Sequence, residues 1–371
     1  MSMPNEVIEV RRQVHGLRLR DLLTTASSTA AALASTAFLF SIAPLSGALT
    51  FVLVAYVLFI VFYGLITAIE DDREAIKDRI ASVIVRSAAV VIFSTLVFIV
   101  VFTIGRGLKA LPNWNFFSED MSLAGPLDPL SMGGILHAIL GSLIQISIAL
   151  AITIPLGLIT AVFLNEMPGK YSRFVRTMVE AMTALPSIVA GLFIYATAIL
   201  MLGVQKSGFA AALAISVMML PIMIRASDVV LRIVPGTLKE ASLGLGANAW
   251  KTAWMVTLPT ARSGLTTAII LATARGIGET SPVLLTSGFT ASLNVDPSNG
   301  PMVSLPLAIF QFVKSPEPTM IARGFGTAAV LMSLVLILFL VARIIGSENN
   351  VFSKLFASVK ALTKKKVQDE K

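Results

Sequence analysis

The chain has 371 residues, of which 56% are hydrophobic and 13% charged, with a mean hydropathy of +0.84. Soluble globular domains do not reach such values, so the composition excludes that class and requires an integral membrane protein. The net charge of +8 does not indicate nucleic-acid binding, because the bases are spread over short segments and interleaved with acids, as in EDDREAIKDR at 70–79.

Apolar runs of about 20 residues are long enough to cross roughly 30 Å of hydrocarbon. They predict an all-α polytopic bundle with eight spans, at 24–43, 48–69, 84–104, 135–164, 182–204, 209–226, 265–288 and 325–345. The first two form a tight hairpin around APLSG, 43–47, joined to the rest by the charged loop 70–79. Arg18 and Arg20 precede the first run as they would in a signal peptide, but a second span follows almost at once without a convincing cleavage site, so retention is expected. Pro155 is expected to kink the long fourth span, since proline removes a helix hydrogen bond. The run SLPLAIFQFV, 304–313, is too short to span and reads as an interfacial or re-entrant piece held against the bundle. Small residues and prolines inside the spans between 135 and 288 permit close packing and mark the working part. The expected organisation is an N-terminal segment with an accessory hairpin (1–83), a core (84–346) and a basic tail (347–371).

Orientation follows from lysine and arginine. Of the 29 such residues, only Arg106, Lys109, Lys206, Lys314 and Arg323 fall in outside loops when both termini are cytoplasmic, and Arg275 lies within a span. All the others fall inside, as the positive-inside rule requires.

Catalytic chemistry is not evident. His15 and His137 lie apart, without a carboxylate cluster or any cysteine to complete a metal site, and both read as structural. GLGANAWKT, 244–252, has Leu245 and Trp250 where a phosphate-binding loop needs glycine. No cofactor is called for, and any nucleotide hydrolysis belongs to another subunit.

Two features carry the functional reading. In the loop 228–264, Leu238, Ala241, Leu245 and Ala249 recur at helical spacing, Gly244 and Gly246 lead into a turn, and a second helix runs through Trp250, Trp254 and Val256. This describes a short helical hairpin on the inner face, and periodicity alone leaves a lipid anchor equally open. One span later, Arg275 and Glu279 stand four apart where a bilayer would be. A central arginine costs at least about 2.5–3.5 kcal/mol by insertion scales, so it should face the bundle interior and have a partner. The planar guanidinium fork suits an oxyanion, and the carboxylate can hold it in place or accept a proton from a protonated one. A structural ion pair locking two helices is the alternative. The small-residue surroundings Gly276, Gly278, Thr280, Ser281 and Pro282 favour a pathway.

Glu240, Ala241 and Ser242, then Gly246, then Val256, Leu258 and Pro259, resemble the E-A-A…G…I-x-L-P signature of permease subunits of binding-protein-dependent ABC importers, with Ser242 in place of alanine and Val256 in place of isoleucine. The segment ARGIGETSPVLLTSG, 274–288, resembles the A-R-A-x-G-E-T-A-P-L-L-x-T stretch of PstA-type phosphate permeases. NEMPGKYSRFVRTMVEAMTALPSIVAGLF, 165–193, and NGPMVSLPLAIFQF, 299–312, resemble further segments of the same family. The resemblance implies a six-helix permease core and import of inorganic phosphate across the bacterial cytoplasmic membrane. It also implies a PstC-type permease partner, a PstB-type ATPase dimer and a PstS-type phosphate-binding protein. In that scheme Glu240, Ala241, Ser242, Gly246, Leu258 and Pro259 form the ATPase coupling loop, and Arg275 with Glu279 lines the substrate path. A permease for molybdate or sulfate, and a non-transporting scaffold for phosphate sensing, are the rival expectations. The N-terminal hairpin has no counterpart in the short forms of the family.

Overall fold

Backbone amides in hydrocarbon find no water and must bond within their own segment, and the computed structural model meets this demand with helices throughout. It describes residues 19–44, 46–69 and 72–346. His15, Arg18, Glu70 and Asp71 of the charged loop, and the basic tail from 347 lie outside the described residues. Among the described residues seven helices are long and apolar enough to cross a membrane, or eight when a pair bent by 106° is taken as one broken span. The chain divides into two compact units between Ile99 and Val100.

In the first unit α1 (Leu19–Ile42) and α2 (Ala48–Ala68) form the hairpin, followed by α3 (Arg73–Gly107), which continues into the second unit. Ser28, Ala32 and Thr36 recur every four residues along α1 and are buried, a small-residue stripe that lets a neighbouring backbone approach closely. Phe40 of α1 meets Phe51 of α2 edge to face, with centroids 5.2 Å apart. Tyr56 of α2 bonds Ser87 of α3 through their hydroxyls, and Arg79 of α3 pairs with Asp21 of α1 at 3.3 Å. Where a charged loop was expected up to residue 79, α3 already begins at Arg73, because Glu, Ala, Lys and Arg are good helix formers outside the bilayer.

The second unit holds α4 (Asn115–Ser118), α5 (Leu136–Glu166), α6 (Lys170–Thr183) and α7 (Ser187–Ile194), the last continued by a π-helical stretch to Met201. Then come α8 (Gly208–Ile233), α9 (Gly236–Gly244), α10 (Ala249–Thr252), a π turn over Ala253–Thr257, α11 (Leu258–Ile277), α12 (Ser281–Thr286), α13 (Leu305–Lys314) and α14 (Pro318–Gly346). Helix α8 is the hub, packed on α5, α7, α11 and α12. Its buried Ile215, Met219 and Met223 share one core with Ile146 and Ala149 of α5 and Ala268 and Ala272 of α11.

Three expected boundaries move for identifiable reasons. The fifth span starts at Ser187 instead of 182, since Pro186 disfavours helical backbone at Leu185, and the amphipathic α6 ends there with the 106° bend. The sixth runs on to Ile233, beyond the expected 226. The seventh does not run unbroken to 288. Proline at 282 has no N–H for the carbonyl of Gly278, so α11 stops at Ile277 and a new helix starts with proline in its first turn. Pro155, by contrast, lies inside a continuous α5.

The segments flanking α13 and α4 are bound tightly to the core. Leu305 donates its amide to Ser142 Oγ at 2.6 Å, and Gln145 Nε2 donates to the carbonyl of Met302 at 2.8 Å, fixing the entry to the short helix α13 against α5. A Cβ at Gly141 would lie 2.0 Å from the Val303 carbonyl oxygen. Gly141→Ala should therefore cost about 1–3 kcal/mol through overpacking. A lowered thermal midpoint in detergent checks this; an unchanged midpoint would contradict the packing.

Arg323, expected in an outside loop, is instead a fully buried residue of α14. Its Nη2 donates to the carbonyls of Asp128 (3.3 Å), Pro129 (2.9 Å) and Met132 (2.8 Å), drawing the 125–132 loop onto the helix. Asp120 joins that region to the segment after α12, accepting from the Leu293 amide at 2.9 Å. The Ser122 hydroxyl, helped by the backbone amides of Ser122 and Leu293, holds the Asp120 carboxyl below the usual carboxylate range. A depressed carboxylate stabilises above its unfolded pKa and ceases to do so as pH falls through its folded one, so this junction persists into mild acid.

Candidate functional site

The hairpin expected to couple to an ATPase is built by helix-end chemistry. Helix α9 carries Glu240, Ala241 and Ser242, with Glu240 and Ala241 exposed and Ser242 half-buried. It ends on Gly246, whose φ of +85° is the left-handed conformation that side chains with a Cβ resist. The Gly246 amide bonds the Leu243 carbonyl at 2.9 Å and the Ala247 amide bonds the Ser242 carbonyl at 3.2 Å, the paired closure of a Schellman motif. Asn248 then caps α10, its Oδ1 accepting from the Lys251 amide at 2.8 Å. The Ser242 and Thr252 hydroxyls meet at 2.9 Å and tie the two arms together, so serine at this position makes a cross-link that alanine could not.

The second arm is not a separate helix as expected. It continues through the π turn into α11, with Leu258 and Pro259 opening that helix, so the arm and the span that follows form one rod from Ala249 to Ile277. Trp250 and Trp254 stand edge to face on it, with centroids 6.0 Å apart, and both are half exposed.

Sequence reasoning missed what anchors this hairpin. Lys239 donates to Asn165 Oδ1 and, at 2.7 Å, to Glu166 Oε1 at the end of α5, and Thr257 reaches the same carboxylate at 3.5 Å. The clue was an acid and a base facing the same side of the membrane in two separate loops. Removing one partner of this largely buried pair should cost about 1.5–3 kcal/mol, the range for hydrogen bonds to charged groups. Lys239→Met and Glu166→Gln should each lower the thermal midpoint, and the double variant should be no worse than the single ones. Fully additive losses would show that the two residues do not act together. A second clamp joins α6 to α8, with Arg176 3.4 Å and Arg232 2.9 Å from the two oxygens of Asp228. Asp228, a lone acid between Arg225 and Arg232 at the end of an apolar run, was the available signal.

The Arg275–Glu279 pair lies where α11 unwinds. Arg275 is in its last turn, Glu279 sits in the break, and Nε and Oε1 are 3.0 Å apart. They are therefore not neighbours along one continuous helix, as the spacing implied, but face each other across a helix end. The Glu279 side chain is 9% exposed and that of Arg275 54%, so the carboxylate is held by the core and the guanidinium projects from it. Among the described residues the guanidinium is contacted only through Nε, and Nη1 and Nη2 have no hydrogen-bond partner. The break is braced by close packing: a Cβ at Gly276 would lie 2.4 Å from Met219 Sδ, and one at Gly191 would lie 2.6 Å from Pro282 Cα.

Both segments fall inside residues 153–347, which match the family of binding-protein-dependent transport system inner membrane components. The chain belongs to that family. It is 39% identical over 274 residues to the phosphate transport system permease protein PstA 1 of Mycobacterium tuberculosis (strain CDC 1551 / Oshkosh), covering 74% of this chain and 90% of the relative. PstA of Mycobacterium leprae is 37% identical (71% and 86% covered) and PstA of Pasteurella multocida 34% (65% and 84% covered). A solved inward-facing structure of the MetNI methionine ABC transporter is similar with a TM-score of 0.42 and 19% identity, over 57% of this chain and 91% of that one. As a member of this family the chain is a multi-pass permease subunit, and the ATPase of such importers is a separate subunit.

Proposed function

We propose that this chain is one membrane permease of an ATP-driven importer of inorganic phosphate, placed in the bacterial cytoplasmic membrane with both termini in the cytoplasm. It works beside a PstC-type permease, over a PstB-type ATPase dimer, and receives phosphate from a PstS-type binding protein. The observation that carries this reading is the Arg275–Glu279 pair at a helix break, with the carboxylate buried and the guanidinium fork open. Non-helical backbone at membrane depth is tolerated where it lines a cavity or is buried in protein, and discontinuous helices mark substrate sites in other transporters.

Each part then has a role. Glu279 orients the guanidinium through Nε and leaves the two terminal nitrogens to take two oxygens of a phosphate. It can also accept a hydrogen bond from a protonated oxyanion, which fully deprotonated sulfate cannot give. The exposed arm of α9, with Glu240, Ala241 and the Gly246 turn, docks on the ATPase. The Ser242–Thr252 bond ties that arm to the rod from Ala249 to Ile277, which reaches Arg275 without a loop, so rotation of the hairpin moves the anion site. The hairpin α1–α2 is an accessory to the core that begins near residue 84.

Uptake measured in proteoliposomes containing the four-component assembly tests the substrate. Radiolabelled phosphate should accumulate only with ATP inside, and excess sulfate or molybdate should reduce its entry less than twofold. Displacement of phosphate by either ion at equal concentration would reassign the cargo.

A further inference from the structure

Two cavities lie end to end between α11 and α14. One, of about 160 Å³, is an apolar trough walled by Leu150, Ile269, Ile277, Val335 and Leu338. The other, of about 380 Å³, is a polar mouth lined by Ser263, Thr266, Thr267 and Arg343. Ile270 and Phe339 line both, so the two adjoin. Along α11 the mouth begins at Ser263 and the trough reaches Ile277, a rise of about 21 Å at 1.5 Å per residue. At the mouth end α14 closes on α11, where a Cβ on Gly346 would lie 2.3 Å from Thr266.

The chemistry of this groove is graded. Arg343 makes no ion pair or hydrogen bond with any described residue, no acidic side chain among the described residues lines either cavity, and the Ser263 hydroxyl likewise has no partner among them. Thr266 and Thr267 already donate to the carbonyls of Arg262 (2.9 Å) and Ser263 (3.2 Å). Among the described residues the mouth thus offers a cation and a hydroxyl donor without partners, and the trough is hydrocarbon apart from the Thr273 hydroxyl, which is already bonded to the Ile269 carbonyl at 2.7 Å. The mouth lies at the end of α11 that joins the coupling hairpin, which the proposed orientation places at the inner surface.

We propose that this groove holds one anionic phospholipid of the inner leaflet, with its phosphate on Arg343 and Ser263 and one acyl chain in the trough. Basic sites between helices on the cytoplasmic side suit anionic headgroups, and a free phosphate ion would have no use for the apolar trough. An adjoining protein helix would need a carboxylate to meet Arg343. The chain packs against Ala274 and Ile277, the residues on either side of the Arg275 turn, and so supports the end of α11 from the face away from the guanidinium.

The test uses the assembled transporter in nanodiscs doped with photoactivatable phosphatidylglycerol or phosphatidylcholine carrying the reactive group on the acyl chain. Phosphatidylglycerol should label peptides spanning 269–277 and 335–342. Arg343→Gln should cut that labelling about fivefold, equivalent to about 1 kcal/mol for one basic residue near an anionic surface, and leave phosphatidylcholine labelling unchanged. Ile270→Trp, which fills the junction of the two cavities, should abolish labelling by both lipids while the subunits still co-purify. Inorganic phosphate at millimolar concentration should not compete. Equal labelling by the two lipids in the unaltered protein, protection by inorganic phosphate, or no labelling of these peptides would each overturn the assignment, the last because another subunit or chain segment then fills the groove. Labelling is read without transport, so it stands apart from the phosphate reading.

Discussion

Arg275→Gln is expected to lower phosphate uptake by about 100-fold in an assembly whose subunits still co-purify. The variant loses the two terminal donors that face outward, and two charge-assisted hydrogen bonds of about 1.5 kcal/mol each correspond to that factor. It also leaves Glu279, held in the core at 9% exposure, facing the anion without a countercharge. Arg275→Lys keeps the charge but not the fork and should retain part of the uptake, falling about tenfold. A pair that only locked helices would behave otherwise. Removing the arginine would then lower the thermal midpoint through the unpaired carboxylate, and Arg275→Gln with Glu279→Gln would recover both stability and transport. Full uptake by an assembled Arg275→Gln variant would end the pathway assignment.

Glu240→Lys is the second large effect. Glu240 is exposed on α9 and has no ion pair among the described residues, whereas its neighbour Lys239 is committed to Glu166. Reversing its charge therefore leaves the hairpin intact, and the thermal midpoint of the permease should not change. Like charges brought together in an interface cost several kcal/mol, so co-purification of the ATPase should fall at least about tenfold, and phosphate-stimulated hydrolysis should fall with it. If recruitment and stimulated hydrolysis both survive, α9 is not the docking arm, and a lipid-anchoring role for this exposed hairpin becomes the better account.

The two variants probe opposite ends of one connection. Between them lie the Gly246 turn, the π turn and Pro259, and the rod from Ala249 to Arg275 is continuous. Movement at α9 reaches the rod through the closed Gly246 turn and the Ser242–Thr252 bond. Lys239 ties this arm to α5 through Asn165 and Glu166, so its loss should loosen the arm more than it disturbs the core.

Sequence alone carried the class, the approximate spans and the place of the hairpin and of the charged pair, because bilayer thickness imposes run lengths, and E-A-S…G and R-x-x-x-E are local patterns. The turn at Gly246 was legible for the same reason, since a left-handed helix end selects glycine within a few residues. Contacts between distant segments were not legible. Lys239 with Glu166, Asp228 between Arg176 and Arg232, and Arg323 on four carbonyl-bearing loop residues are pairings whose partners only packing brings together. The break at 278–280 was written in the glycines and Pro282, but its consequence was not. Whether Arg275 faces the core or projects from it depends on how Glu279 is held after the helix ends, and that is decided by Met219 against Gly276 and Pro282 against Gly191. Periodicity could place the two charges close together; only close packing of neighbouring helices could bury one and leave the other open.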